Sequence, residues 1–361
     1  MVKAKTILNI ANSSLQSIPL NLGFFTKPKY LWLETTDRCN SKCTTCNIWK
    51  KPHVPLENLL SLKELEVCLK DPLMSKVKYV LNSGGESTLV NLEDYLRVEH
   101  SALPKAIIQI SSNALLPERL ASAVEYAMTI GIKHLDVGLS IDGIDKAHDL
   151  VRGVEGNFAK LQECLELLFK LQKKYPDRIF VSMGSTLTDV TAKEASKLYT
   201  YCKSLGVSFM WHWFNASSFY ENTDRSNAGA FNVINDYPAD NLYLDSWRQS
   251  LLTGIIPHFK CRSLETFMVI KCNGDVAPCL SRWSEPIGNI KSDNISNIWH
   301  SEKAKRERTE IKQCKGCLNS WGWSWSVNET YYPVLFDAIK RKLKKLFSTE
   351  EPFHGFHEGQ M

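Results

Sequence analysis

Between residues 30 and 215 the chain alternates short β-branched and aromatic runs with longer stretches of helical period, and this alternation leaves few ways to fold. The strand-like runs are 30–36, 77–82, 105–111, 134–141, 178–184 and 208–214, and the helical ones are 61–71, 91–103, 117–130, 156–174 and 191–204. Ser61 and Glu64 read as a capping box for the first helix. Strand and helix in strict turn argue for parallel strands with right-handed crossovers. Six strands suffice for an open barrel with an accessible lumen, so the expected fold class is α/β, a partial (β/α)6 TIM-like barrel. Chemistry in such a barrel sits on the loops after the strands, where Cys39, Gly84, Ser112, Asp142 and Ser185 all fall.

Eleven cysteines are unevenly placed, with three in residues 39–46 and five in 261–317. Cys68, Cys164 and Cys202 lie alone within helical stretches and read as packing residues. Asn9 and Asn12 to Gln16 interrupt any signal-peptide core, and no apolar run reaches membrane-spanning length. A cytoplasmic, reducing setting is therefore expected, in which clustered cysteines mean metal rather than disulfides. The net charge of +5 is spread along the chain and implies no nucleic-acid footprint. Cys39, Cys43 and Cys46, spaced by three residues and then two, are one thiolate short of a closed site. They suit a [4Fe-4S] cluster with one open iron, or a zinc knuckle that borrows a fourth ligand.

A CxxxCxxC loop after the first strand resembles the hallmark of the radical S-adenosylmethionine superfamily, and the similarity runs over roughly residues 28 to 325. The resemblance implies that the open iron chelates S-adenosylmethionine, whose reductive cleavage gives a 5'-deoxyadenosyl radical that abstracts hydrogen from a substrate C–H bond. It also implies an external electron donor such as flavodoxin or ferredoxin. Gly84, Gly85 and Glu86 are similar to the family's GGE turn, in which backbone and carboxylate receive the methionine amino group. Ser112 and Asn113 at the end of the third strand, with Ser140 and Asp142 at the end of the fourth, resemble segments that reach the methionine and ribose. His148 to Gly153 looks like the family's HDxxRG stretch, making Arg152 a partner for the cofactor carboxylate. Ser182 and Ser185 are further polar candidates. Where the family usually has an aromatic residue before the third cysteine this chain has Thr45, with Ile48 and Trp49 as substitutes for packing the adenine.

Cys261, Cys279, Cys314 and Cys317, with the hairpin-like segment 265–280 turning at Asn273 and Gly274, resemble the family's shortened auxiliary module, called twitch, a reduced form of SPASM. Four thiolates fill one auxiliary [4Fe-4S] cluster; a four-cysteine zinc ribbon is the other reading. Cys272 is left over: a packing or turn residue, or a hydrogen-atom donor to a substrate radical.

The expected organisation is an extension at 1–27, the barrel at 28–215, a connector or substrate-covering segment at 216–257, the auxiliary domain at 258–325 and a tail at 326–361. Residues 331–347 of that tail form a basic amphipathic helix that packs on the domain, docks a partner or lies on anionic lipid. Trp321, Trp323 and Trp325 alternate ahead of it, facing a core or the site. With no peptide-clasp domain recognisable at the N-terminus, the sequence favours oxidation or epimerisation of a small hydroxylated, sugar-like substrate. Peptide modification is the alternative, and a non-catalytic iron–sulfur or zinc carrier is the rival class.

Overall fold

The computed structural model describes residues 27–188, 190–222, 261–314 and 319–329. β1 (Tyr30–Thr36) is buried along its whole length, as a strand covered on both faces must be. It is followed by β2 (Tyr79–Gly84), β3 (Ile107–Ser112), β4 (Leu135–Ser140), β5 (Ile179–Leu187) and β6 (Ser208–Trp213), each parallel to the strand before it. The crossovers carry α1 (Leu62–Leu69), α2 (Leu92–Ala102), α3 (Pro117–Thr129), α4 (Lys146–Arg152), α5 (Asn157–Lys174) and α6 (Ala195–Ser204). The capping box forms at Ser61 and Glu64. This is the α/β partial barrel that the alternation implied.

Two differences from the expected elements have local causes. β2 and β5 run on to Gly84 and Leu187, because Ser83 and Thr186 are polar yet still pair with Glu34 and His212. The short helix α4 was not expected; its seven residues hold barely two turns, too few for a period to show, and Gly153 ends it at φ +67°.

The outward strand faces meet the helices in one apolar core around Ile108, Ile110, Leu120, Val137 and Leu161, with Cys164 and Cys202 inside it. A second core joins Leu31 and Leu33 to Leu65 and Cys68, and continues to Val276, Ile298 and Trp299. Each of these leucines contributes about 1.5–3 kcal/mol on burial.

The hairpin is not a separate sheet. β7 (Phe267–Ile270) pairs in parallel with β1 and antiparallel with β8 (Asp275–Ala277), and β9 (Gly288–Asn289) follows. The sheet therefore has nine strands in the order β6-β5-β4-β3-β2-β1-β7-β8-β9. Gly274 makes the turn at φ +86°, where a Cβ would lie 2.9 Å from Asn289 Oδ1. α7 (Ile295–His300) and α8 (Glu302–Lys312) pack behind it.

β6 is a sheet edge, so the barrel is open between β6 and β1. α9 (Ser320–Asn328) lies across that opening. At one end Ser320 Oγ is 2.7 Å from His212 Nδ1 on β6. In the middle Trp325 stacks on Tyr30 of β1 with ring centroids 5.3 Å apart. Just past the helix, buried Glu329 pairs with Lys29 and with Lys78, and accepts from the Tyr30 hydroxyl at 3.1 Å. Residues 1–26, the connector from 223 on, Cys317 and the tail from 330 on lie outside the described residues, as does the side chain of Trp323. Among the described residues no helix is long and apolar enough to cross a membrane.

Candidate active site

The strand ends of the barrel open on a cavity of about 300 Å³. Cys39, Cys43 and Cys46 line it, together with Gly84, Gly85, Glu86, Ser112, Asn113, Ser140, Asp142, Arg152 and Ser182. The structure thus brings these expected cofactor residues and the three-thiol loop to one place. Ser185 stands one layer back, donating to Asp142 Oδ1 at 3.0 Å.

Two turns clamp the cysteine loop through its main chain. The Gly85 and Glu86 amides donate to the carbonyls of Thr36 and Arg38 at 2.7 and 2.8 Å. A Cβ on Gly84 would lie 2.3 Å from Thr36 O and one on Gly85 2.0 Å from Arg38 O, so both glycines serve the approach of loop to loop. From the other side the Lys42 and Thr44 amides donate to the carbonyls of Arg152 and Val151, and a Cβ on Gly153 would meet Lys42 O at 2.4 Å.

The carboxylate of Glu86 is fully buried and binds protein groups. Oε1 accepts from the Thr88 amide and hydroxyl and from Ser112 Oγ, and Oε2 accepts from the Asn113 amide at 2.7 Å. Asn113 then reaches back to the cysteine loop, donating from Nδ2 to Asn40 Oδ1 at 2.8 Å and Ser41 Oγ at 2.9 Å. Asp142 accepts from Ser185 and from the Thr186 amide on Oδ1, and from Arg152 Nη1 on Oδ2 at 3.1 Å. The Asp142 amide donates to His148 Nδ1, and burial, with Arg152 nearby, pushes that imidazole down to about 4, so it is neutral.

The thiols fit a cluster by the main chain around them. Burial pushes Cys39 up to about 11 and Cys46 up to about 12. Backbone N–H groups already point at the sulfurs, from Ser41 to Cys39 at 3.4 Å and from Ile48 to Cys46 at 3.5 Å, the kind of bond that tunes cluster thiolates. For S-adenosylmethionine the fitting group is Arg152, which lines the cavity, has one N–H on Asp142 and leaves its buried Nε without a partner.

Sequence reasoning missed His212, while of the apolar lining it named Ile48, Trp49, Trp321 and Trp325. Burial holds the His212 imidazole down to about 4, and its Nε2 lies where only a glycine leaves room, 2.8 Å from a Cβ on Gly184. Trp321 stacks against it at 5.9 Å. The one available signal was strand alternation, which puts Ser208, Met210 and His212 on one face. Ile48, Trp49 and Tyr220 also line the cavity, on the side where Thr45 stands.

Cys261, Cys279 and Cys314 line a second cavity of about 240 Å³. Trp32, Asn319, Trp321 and Trp325 line both cavities and form the partition between them. Cys272 is not brought to either: it is buried beside β1, where its amide donates to Glu34 Oε2 at 3.0 Å, and burial raises its thiol far above the usual range.

Fold and site together define a barrel built to hold a cofactor against a three-thiol loop. The radical SAM superfamily model matches residues 33–197 and an iron-sulfur cluster-binding domain, SPASM, matches residues 261–318, together more than half of the chain. The chain belongs to the radical SAM superfamily, with a [4Fe-4S] cluster and S-adenosylmethionine as cofactors and auxiliary iron–sulfur in its C-terminal domain. It is 30% identical to a GTP 3',8-cyclase of Sulfurovum sp. (strain NBC37-1) over 37% of this chain and 46% of that one, so the match spans about half that relative's length. It is 24% identical to the sporulation killing factor maturation protein SkfB of Bacillus subtilis (strain 168) over 78% of this chain and 67% of that one. The solved structure of anSMEcpe with bound AdoMet and Cp18Cys peptide superposes with a TM-score of 0.58, covering 88% of this chain and 99% of that one at 20% identity, a likeness of fold.

Proposed function

We propose that this chain binds S-adenosylmethionine at Arg152 and the neighbouring strand ends, holds the catalytic cluster on Cys39, Cys43 and Cys46, and oxidises or epimerises a small hydroxylated substrate. The observation that carries the first half is the convergence of all these residues on one cavity. When bound, the cluster and cofactor supply a carbon radical that removes a hydrogen atom from an unactivated C–H bond.

The chain's own residues then have assignable tasks. Arg152 offers a charge-assisted bond to the cofactor carboxylate, and Asp142, fixed by Ser185 and the Thr186 amide, sets the angle of the guanidinium. Glu86 ties the ends of β2 and β3 together and so places Asn113 over the cysteine loop. Glycine and serine at Gly138, Ser182, Gly184 and Ser208 keep the β4 to β6 side of the lumen wide and polar, while Trp321 and Trp325 face it from α9. Hydroxyls and a neutral imidazole opposite indole faces suit a ring with polar edges and apolar faces. His212 can hold a substrate hydroxyl without adding charge.

Cys261, Cys279 and Cys314, with Cys317, are assigned to an auxiliary cluster behind the tryptophan partition. A peptide substrate is the second reading, favoured by the likeness to SkfB along most of the chain and by the peptide in the anSMEcpe structure. The test is anaerobic. Dithionite-reduced protein is incubated with S-adenosylmethionine and 5'-deoxyadenosine is measured, alone and with panels of polyols, sugars, sugar nucleotides and peptides. Stimulation by a hydroxylated small molecule supports the proposal and stimulation by peptides alone replaces it. A reduced, cluster-loaded protein that forms no 5'-deoxyadenosine is a carrier, not an enzyme of this class.

A further inference from the structure

The cations are spread along the sequence, but the fold gathers them at one end. The residues that lead into β1 to β6, at 27–29, 70–78, 103–106, 130–134, 173–178 and 203–207, hold eleven lysines and arginines and two acids, Asp71 and Asp177. They form the foot of the barrel, opposite the strand ends that carry the cavity. Ion pairs add three acids to that foot: Glu66 on Lys70, Glu125 on Lys174, and Glu329 between Lys29 and Lys78. Six positive charges remain in excess, on a chain whose net charge is +5. Two further carboxyls at this end are buried and bonded, Asp136 by Tyr79 and His134, and Glu99 by Asn82. The neighbouring segment 293–306 reaches the foot where Ser296 donates to Asp71; it holds Asp293 and Glu302 against Lys303, Lys305 and Arg306, and does not change the sign.

Five of the lysines are exposed and, among the described residues, have no ion-pair partner: Lys76, Lys105, Lys133, Lys173 and Lys203. Lys173 and Lys203 stand in the last turns of α5 and α6, where the helix dipole favours a cation. Lys105 and Lys133 stand beyond the ends of α2 at Ala102 and α3 at Thr129, so no dipole calls for them. The rest of the chain does not bring the missing negative charge. Residues 1–26 have two lysines and no acid, 223–260 have four acids and three cations, and 330–361 have four acids and five cations.

We infer that the foot of the barrel is a docking surface for an anionic lipid bilayer. The described residues end at Glu329, between the starts of β1 and β2, so the sequence continues from this face. It continues into Leu335, Ile339, Leu343 and Leu346 at helical spacing, with five cations between 340 and 345, a pattern that seats an apolar stripe among lipid headgroups. Stable peripheral binding takes two signals, and a basic patch beside an apolar stripe supplies both. Lysines spread over the feet of six strands suit the smeared field of a lipid surface. Nucleic acid is better met by arginine forks and stacking aromatics, which the five unpaired positions lack. With the foot on a bilayer, the cavity at the other strand ends stays open to solution.

The test is cosedimentation of the cluster-loaded full chain with sucrose-filled vesicles. Binding is expected to vesicles of phosphatidylglycerol and phosphatidylcholine in equal parts, not to phosphatidylcholine alone, and to weaken by screening as salt rises to about 300 mM. Each lysine at such a surface strengthens binding about fivefold, so Lys105→Glu/Lys133→Glu is expected to lower the partition coefficient at least about tenfold with its unfolding midpoint unchanged. Lys105→Gln/Lys133→Gln, which reverses no charge, lies between and keeps the comparison if the glutamates impair folding. The surface is overturned by a wild-type chain that stays in solution with the anionic vesicles or binds both vesicle types alike. Undiminished binding after either double substitution also overturns it, leaving residues 331–347 as the whole attachment. Tighter binding of the wild type to a random nucleic-acid duplex than to the anionic vesicles, lost in the same variants, would give the foot to nucleic acid instead.

Discussion

A β-carbon on Gly85 would lie 2.0 Å from the carbonyl oxygen of Arg38, closer than any non-bonded contact survives. Gly85→Ala is therefore expected to push the turn after β2 away from the cysteine loop, costing about 1–3 kcal/mol. Thermal unfolding would show a lowered midpoint, and reconstituted protein would carry less iron; wild-type values for both would remove the clamp role assigned here. The motif named Gly84, Gly85 and Glu86, and they line the cavity. What it did not show is their bonding to the cysteine loop, Thr88, Ser112 and Asn113. A motif read along one chain gives an address and leaves the neighbour across the turn unseen. His212 carries a second residue-scale prediction, because burial holds it down to about 4 against 6.5 in the unfolded chain. Between those values the unfolded state binds the extra proton, so the stabilising share is complete above 6.5 and is lost as pH falls toward 4. The full share is on the order of 3 kcal/mol, taking 1.36 kcal/mol per pH unit. His212→Gln should flatten the fall in urea-unfolding free energy between pH 7 and 5, with His148 preserving its own part of the slope. An unaltered slope would mean that His212 is solvated.

Among the elements α9 does what its composition conceals. Its residues SWGWSWSVN lack a helical stripe, and no helix is expected there, only three alternating tryptophans that could face a core or the site. In the structure Trp321 and Trp325 do both, because the helix fills the opening between β6 and β1 and its inner side becomes the cavity wall. None of these ring partners is local: Tyr30 and Tyr79 lie 295 and 246 residues from Trp325 in the chain and Phe267 lies 58, beyond the reach of periodicity. The six strands, by contrast, were legible because each carries its own apolar run, and the hairpin because Gly274 marks its turn. Trp325→Ala would remove a ring held by Tyr30, Phe267 and Trp321, at about 3–5 kcal/mol. Differential scanning calorimetry should show the loss, and Tyr30→Ala made with it should cost less than the sum of the two, since the rings stabilise each other. Additive losses would place the helix away from β1.

Seen whole, the molecule sets two thiol-lined cavities on either side of one aromatic partition, Trp32, Trp321 and Trp325, with Asn319 beside them. The division of labour follows from ligand number. The loop after β1 supplies three thiols, one short of a closed set, while Cys261, Cys279 and Cys314 line a second cavity and Cys317, the fourth thiol proposed for that site, lies outside the described residues. The two sites should then fail independently. Cys261→Ser/Cys279→Ser is expected to lower iron from roughly eight to roughly four per chain, with four per cube, and to leave dithionite-driven cleavage of S-adenosylmethionine in place. Cys43→Ser should also halve the iron but abolish cleavage. Metal analysis of the untreated protein tests the same division from another side, since a zinc ribbon at the second site would give the whole chain about four iron and one zinc in place of about eight iron. Loss of cleavage in the Cys261→Ser/Cys279→Ser protein, with its remaining cluster intact by electron paramagnetic resonance, would show that the second site is part of the cleavage machinery. The shared tryptophan wall would then couple the two centres, and the three-thiol loop would not act alone.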